Sequence, residues 1–229
     1  MKKSIIVIAL LVSECVVFGQ APKTNWADSL RYSYMPKTSV MALTSSLGND
    51  PVKASSVVEA IKNKQYADQS IEKGKKWLAN TYSSADKVGI KVRDDSSYVY
   101  PMLIDYKQGK AIMLRNFVSK YVYNSNNLST PRKRAEHAVD DMFLPLIYEI
   151  INDKVIIDQP YVGFTFVYSY KDFSDKYALS WGGSITVITP TADFKKLQQF
   201  QITEDEFVKQ CDFYMIERGN AVKFQYTIK

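Results

Sequence analysis

The chain has 229 residues, with a formal net charge of +6, an ordinary apolar fraction of 46%, two cysteines and one histidine. Basic and acidic residues are interspersed, without the basic stripe and stacking aromatics that nucleic-acid binding wants. The lone histidine leaves little room for Ser-His, Cys-His or histidine-rich metal chemistry.

Lys2 and Lys3 precede an apolar run from Ile5 to Val12, and small residues follow near Gly19. That is the layout of a secretory signal peptide, residues 1–19. Ser13 and Glu14 break the run too early for a membrane-spanning helix, which needs about 20 apolar residues. A lipoprotein signal wants a small residue directly before its cysteine, and Glu14 stands before Cys15. Val17 and Gly19 suit ordinary cleavage before Gln20. The expected product is exported, periplasmic or extracellular, and soluble, with a lipid anchor on Cys15 the less favoured alternative. About 210 residues remain, enough for one large domain or two small ones. They hold one cysteine, Cys211, so no intrachain disulfide is expected. Its neighbours Phe207, Val208 and Phe213 suggest a buried thiol.

Residues 20–50 carry no sustained period and read as mostly irregular, with one short strand around Ser39–Thr44. Asn49-Asp50-Pro51 is a helix start, with Asp50 as cap and Pro51 at the first helical position. Val57, Val58 and Ile61 follow at helical spacing. A second helical stretch runs from Ala67 to Thr81, its inward side marked by Ile71, Gly74, Leu78 and Tyr82. The period then changes to alternation in residues 87–94, 97–106 and 110–123, linked by Asp94-Asp95-Ser96 and Lys107-Gln108-Gly109. Links this short make an antiparallel meander. Pro101 cannot donate to a ladder, which places it at an edge or a bulge.

The clearest loop is residues 124–131, a candidate boundary between 51–123 and 131–229, which can also form one domain. Thr130 caps a helix that Pro131 opens, running to about Asn152 with a stripe from Ala138 to Ile150. Pro145 should kink or split it. Pro131-Arg132-Lys133-Arg134 is the densest basic run and reads as a solvated helix face. Strands follow at 154–158, 161–170 and 183–189. Thr203 and Glu206 form a capping box for a helix at 204–210. Gly219-Asn220 signals a final hairpin. The fold class is therefore α+β: an antiparallel sheet, made of a meander and a C-terminal hairpin, with helices packed on one side.

The stretch KGKKWLANTYSSADKVGIKVRDD (73–95) has a helix ending in Trp77-Leu78-Ala79, a small polar link and a basic-apolar strand. Over residues 71–121 it resembles an exported Bacteroidetes domain family of unknown function with a TBP-like fold. The Phe18-Gly19-Gln20 ending of the leader is similar to exported proteins of the same group. The resemblance implies a helix packed on a curved antiparallel sheet and implies no activity.

No residue pattern selects a catalytic site, a metal site or a cofactor. Asp94-Asp95 and Glu204-Asp205-Glu206 fit a turn and a helix N-terminus, and Asp172-x-x-Asp175 is too short for an ion loop. The aromatics say more. Of the sixteen tyrosines, Tyr98, Tyr100, Tyr121, Tyr123, Tyr161, Tyr168, Tyr170 and Tyr177 bunch around the strands. In the strand at 161–170 the even positions Val162, Phe164, Phe166, Tyr168 and Tyr170 share one bulky face. That face is expected to pack on the Val139–Ile150 stripe. The candidate binding residues are Tyr168, Tyr170, Tyr177 and Trp181, since tyrosine and tryptophan give stiff amphipathic contact area. Half-buried strands favour aromatics regardless of function, and the plainer reading is that these residues cover a core face and its rim. The expected function is a non-catalytic binding or interaction module of the cell envelope, with a protein or glycan partner and no nucleic acid. The alternative is a small hydrolase using a carboxylate pair or Cys211.

Overall fold

The computed structural model describes residues 33–35, 57–93, 101–154, 157–217 and 220–228. The signal peptide, Cys15, the strand expected at Ser39–Thr44, the cap at Asp50 and the Asp94-Asp95-Ser96 link lie outside them. The described elements are α+β, with strands of both halves joined in one mixed, mostly antiparallel sheet. Its order is β1 (Ser33–Met35), β3 (Pro101–Tyr106), β4 (Gly109–Asn124), β5 (Tyr161–Lys171), β6 (Trp181–Pro190), β7 (Asp212–Glu217) and β8 (Asn220–Phe224). The short β2 (Ile90–Val92) pairs β4. Two strand pairs are parallel, β1 with β3 and β4 with β5. The purely antiparallel reading is thereby corrected. The helical segment after β4 carries the chain back over the sheet, and β5 sets off in the same direction as β4.

The first long helix, α1 (Val57–Lys87), is one rod of 31 residues rather than two stretches. Gly74, Leu78, Thr81, Tyr82 and Ala85 recur at helical spacing and are buried. Gly89, at φ +81°, supplies the left-handed residue just past the helix end. The Tyr82 hydroxyl accepts a hydrogen bond from the Arg115 backbone N–H at 3.1 Å. That contact meets β4 where its register shifts, between Leu114 and Phe117. Asn116 in the shift has φ 72°. The irregularity separates the part of β4 that pairs β3 from the part that pairs β2.

Thr130 caps α2 (Pro131–Ala138) by accepting from the Lys133 N–H at 3.2 Å. The helix is split just before Pro145, as expected. It widens one turn earlier into a π turn, Val139–Phe143, and resumes as α3 (Leu144–Ile150). The Leu144 N–H bonds to the Val139 carbonyl, five residues back. Pro145 has no N–H to give, so the ladder is already interrupted there and the wider turn costs little more. Thr191–Gln198 forms α4, which the sequence reading missed, and Glu204–Gln210 forms α5 with the expected capping box at Thr203. Residues 154 and 157–158 are not strand, against expectation. Strand β7 pairs Glu217 with Asn220, so the final hairpin turns one residue earlier than expected.

Buried apolar residues fall into two clusters. The larger joins Trp77, Leu78 and Tyr82 of α1, Phe143 of the π turn, Phe194 of α4 and Phe207 of α5 to the even positions of β5. Phe143 sits 5.9 Å from Phe164 and 6.3 Å from Phe166, ring centre to ring centre. The bulky face of β5 therefore meets the helix stripe expected to cover it. The smaller cluster contains strand residues only: Met102, Ile104, Tyr106, Ala111, Met113 and Ile188.

The smaller cluster is buried because the sheet curls over it. Strand β7 lies four places from β3, which in a flat sheet is about 19 Å. Yet the Tyr106 hydroxyl, at the end of β3, donates to the Asp212 carboxylate at the start of β7 at 2.5 Å. It also lies 3.1 Å from the Tyr214 hydroxyl. Gly163 helps the curl close, since a Cβ there would stand 2.4 Å from the Met113 sulfur. Asp212 further pairs Lys107 and Lys223, each at 2.6 Å. Burial works to raise the Asp212 carboxyl, but the two ammonium groups and the Tyr106 hydroxyl outweigh it and hold the pKa at about 2.

Two predictions follow from these cores. Phe164→Ala should lower unfolding stability by about 3–5 kcal/mol in a denaturant titration, because the ring is buried under Phe143 and the site cannot collapse onto it. Asp212 should contribute stability that is fully present above the unfolded-state carboxyl pKa of about 3.9 and is lost as pH falls toward 2. The stability gap between the native protein and Asp212→Asn, followed by denaturant titration from pH 6 to pH 2, should stay constant to about pH 4 and close below it.

Candidate functional site

The site lies where α2 crosses the far end of the sheet. Its foundation is the pair Arg134–Glu217. Arg134 stands on the first turn of α2, and Glu217 ends β7. The guanidinium donates through Nε to Oε1 at 2.8 Å and through a terminal nitrogen to Oε2 at 2.7 Å. Both side chains are buried, 6% and 3% exposed. A third N–H of Arg134 reaches the Leu128 carbonyl at 2.6 Å, tying the preceding loop to the helix. Hydrogen bonding to Glu217 keeps the Arg134 pKa above its ordinary value.

Three strands supply the surroundings of the carboxylate. Tyr168 on β5, Gly183 on β6 and Glu217 on β7 stand in one row. The Tyr168 hydroxyl crosses the row to donate to Glu217 at 2.7 Å. It can do so because Gly183 has no side chain. A Cβ there would lie 2.6 Å from the Tyr168 ring, which cannot move aside. Two residues along, Tyr170 pairs with Trp181. The Arg134 guanidinium lies 4.0 Å from the centre of the Tyr170 ring, a stacked cation–π contact.

Above this floor is a pocket of about 940 Å³. Tyr170, Met215 and the Arg134–Glu217 pair line its inner part. Leu179, Trp181 and Val222 line it while remaining 74%, 50% and 46% exposed. Ser125 and Ser129 contribute from the loop before α2. The hydroxyl of Tyr170 is buried and has no hydrogen-bond partner among the described residues.

Of the four residues expected from sequence, Tyr170 and Trp181 line the pocket. Tyr168 lies beneath it, fully buried, and Tyr177 is 78% exposed outside the lining, although its neighbours Ala178 and Leu179 belong to it. The sequence reading missed Arg134 and Glu217. It took the run at 131–134 for a solvated face, yet Arg134 is buried whereas Arg132 is exposed and pairs with Glu136 at 2.8 Å. Glu217 shares parity with Phe213 and Met215, which was a signal that a carboxylate faces inward.

The Asp172–Asp175 pair, weighed from sequence as an ion site, and Cys211 have other work. Asp172 accepts from the Ser174 hydroxyl and backbone N–H and from Asn126, and these bonds lower its pKa. Asp175 accepts from the Tyr177 N–H. Both build the loop between β5 and β6. The Cys211 thiol donates to the Phe207 carbonyl, and burial pushes its pKa up to about 12, far from the thiolate a nucleophile needs. His137 packs edge-on against Tyr123, with ring centres 4.7 Å apart. Among the described residues, no group of three His, Cys, Asp or Glu side chains could hold a metal ion.

Comparison with protein-family models, with curated proteins and with solved structures returns no match.

Glu217→Gln leaves the Arg134 charge buried without its counter-ion. It should cost about 3–5 kcal/mol of unfolding free energy, measured by denaturant titration.

Proposed function

We propose that the chain is an exported envelope protein that works by binding rather than by catalysis, and that the pocket over Arg134 and Glu217 is its binding site. One observation carries the reading. Leu179, Trp181 and Val222 stay open to solvent around a concavity whose floor is already fully built. An exposed apolar rim round a pocket of this size, within the range of about 300–1,000 Å³ usual for ligand sites, is the mark of a surface kept for a partner. The engagement of Cys211 in local structure and its raised pKa weigh against the thiol form of the hydrolase alternative. In this reading the helices cover one face of the sheet, and α2 is the helix that frames the site. Export rests on the leader sequence. Among the described residues no helix is long and apolar enough to cross a membrane.

One preparation tests both parts. Protein recovered from its native host should have an intact mass that begins at Gln20, without lipid on Cys15. That mature protein should bind the uncharged dye Nile red at one dye per chain, with a rise in emission. Leu179→Asp, a change at an exposed rim position, should abolish binding while leaving the thermal midpoint in place. Retention of the leader, lipidation, or Nile red binding unaffected by Leu179→Asp would count against the proposal.

A further inference from the structure

The chemistry of the pocket lining restricts what it can hold. Four charged side chains line it, Arg134 and Lys171 against Asp172 and Glu217, two of each sign. Arg134 and Glu217 neutralise one another in a bidentate pair, and each makes one further bond, to the Leu128 carbonyl and from the Tyr168 hydroxyl. The Lys171 ammonium lies over the Phe173 ring at 4.7 Å, and Asp172 is held by Asn126 and Ser174. The four charges sum to zero, so the lining offers a ligand charge no excess of the opposite sign, and burying an unmatched charge is costly. The rest of the inner wall and rim is apolar: Pro131, Ala178, Leu179, Trp181, Met215 and Val222.

One polar group of the lining residues is different. The Tyr170 hydroxyl is buried, in a residue only 2% exposed, and makes no hydrogen bond among the described residues. Buried hydroxyls are normally satisfied, and Tyr170 belongs to the pocket lining, so a ligand seated deeply against that residue could supply the missing partner.

We infer that the pocket takes an uncharged, mainly apolar small molecule that carries one hydrogen-bonding group, which meets the Tyr170 hydroxyl. A sugar is disfavoured by the same lining, since several ligand hydroxyls would lose water and find few partners. This inference rests on the proposal that the pocket is a binding site.

The test displaces Nile red from the full mature chain with matched competitors, decanol, decanoate and decylammonium, each below its aggregation concentration, and with maltotriose. Decanol should displace the dye at about ten-fold lower concentration than either ion, and maltotriose should not displace it. Tyr170→Phe keeps the ring under Arg134 and removes only the hydroxyl. It should weaken decanol about two- to ten-fold. An ion or maltotriose competing as well as decanol would overturn the inference while leaving the binding site standing. Unchanged decanol affinity in Tyr170→Phe would overturn the role of the hydroxyl. Failure of Nile red itself to bind would remove the site, and the inference with it.

Discussion

The buried pair between Arg134 and Glu217 is the constraint on which this end of the molecule depends. Its partners are 83 residues apart in sequence and come from the first turn of a helix and the last residue of a strand. Once both are out of water, neither can be left alone, so the end of β7 and the rotation of α2 about its own axis are fixed together. Such a pair need not add net stability, because apolar residues of similar volume could do as well. What it does here is specify geometry. The guanidinium is flat and forked: its edge meets the carboxylate and its face meets the Tyr170 ring at 4.0 Å. A lysine could neutralise Glu217 but could not stack in this way. Tyr168, Tyr170 and Glu217 are thus held by one group, and the pocket floor is rigid before any ligand arrives.

The opposite end of the sheet is held by a different ionic arrangement, with a different purpose. Asp212 there is partly open to solvent and is shared by two lysines and a tyrosine. It closes a curl instead of framing a pocket. The two ends are linked through side-chain size on β5. Bulky even positions fill the space beneath the helices, while Gly163 on the other face lets Met113 approach. A sheet that carries large residues on one face and a glycine at the crowded point of the other can curl over its own smaller cluster. The unequal faces of one strand therefore account for both cores.

Much of this was legible in the sequence, and the failures have physical causes. Alternation marked β5 and its bulky face, and short-range chemistry placed the caps at Thr130 and Thr203, because those signals are local. The parallel joint between β4 and β5 was not legible, since nothing in either strand records the direction of its neighbour. The loop at 124–131 and the helix after it were both seen, but their role as a crossover depends on where β5 docks. Pro145 announced a disturbance without revealing that it takes the form of a π turn at Val139–Phe143. The site was half legible. Tyr170 stood out as an aromatic at a strand end, and Trp181 as one just before the next strand. Arg134 sat in a basic run whose other members face solvent, and only the tertiary position of Glu217 distinguishes it from them. Nothing local marks Gly183, whose part is to clear the path of the Tyr168 hydroxyl.

The open rim also needs an explanation, because an apolar side chain such as Leu179 would ordinarily turn inward. The loop between β5 and β6 is prevented from collapsing by polar bonds along its length. Asp172 turns the chain at Ser174, and Asp175 turns it again at Tyr177. Asn126 ties Asp172 to the loop before α2, and the Ser125 N–H bonds to the Lys171 carbonyl at 2.9 Å. Both walls of the pocket are thereby fastened to each other at the rim, while Arg134 fastens the floor. Each bond alone is worth only about 0.5–1.5 kcal/mol. Together they act on the same few residues and oppose a modest gain, the burial of one leucine and half a tryptophan. A rim held open by local turn chemistry lets the apolar lining remain available without the floor having to move, which is the arrangement a pre-formed binding pocket requires.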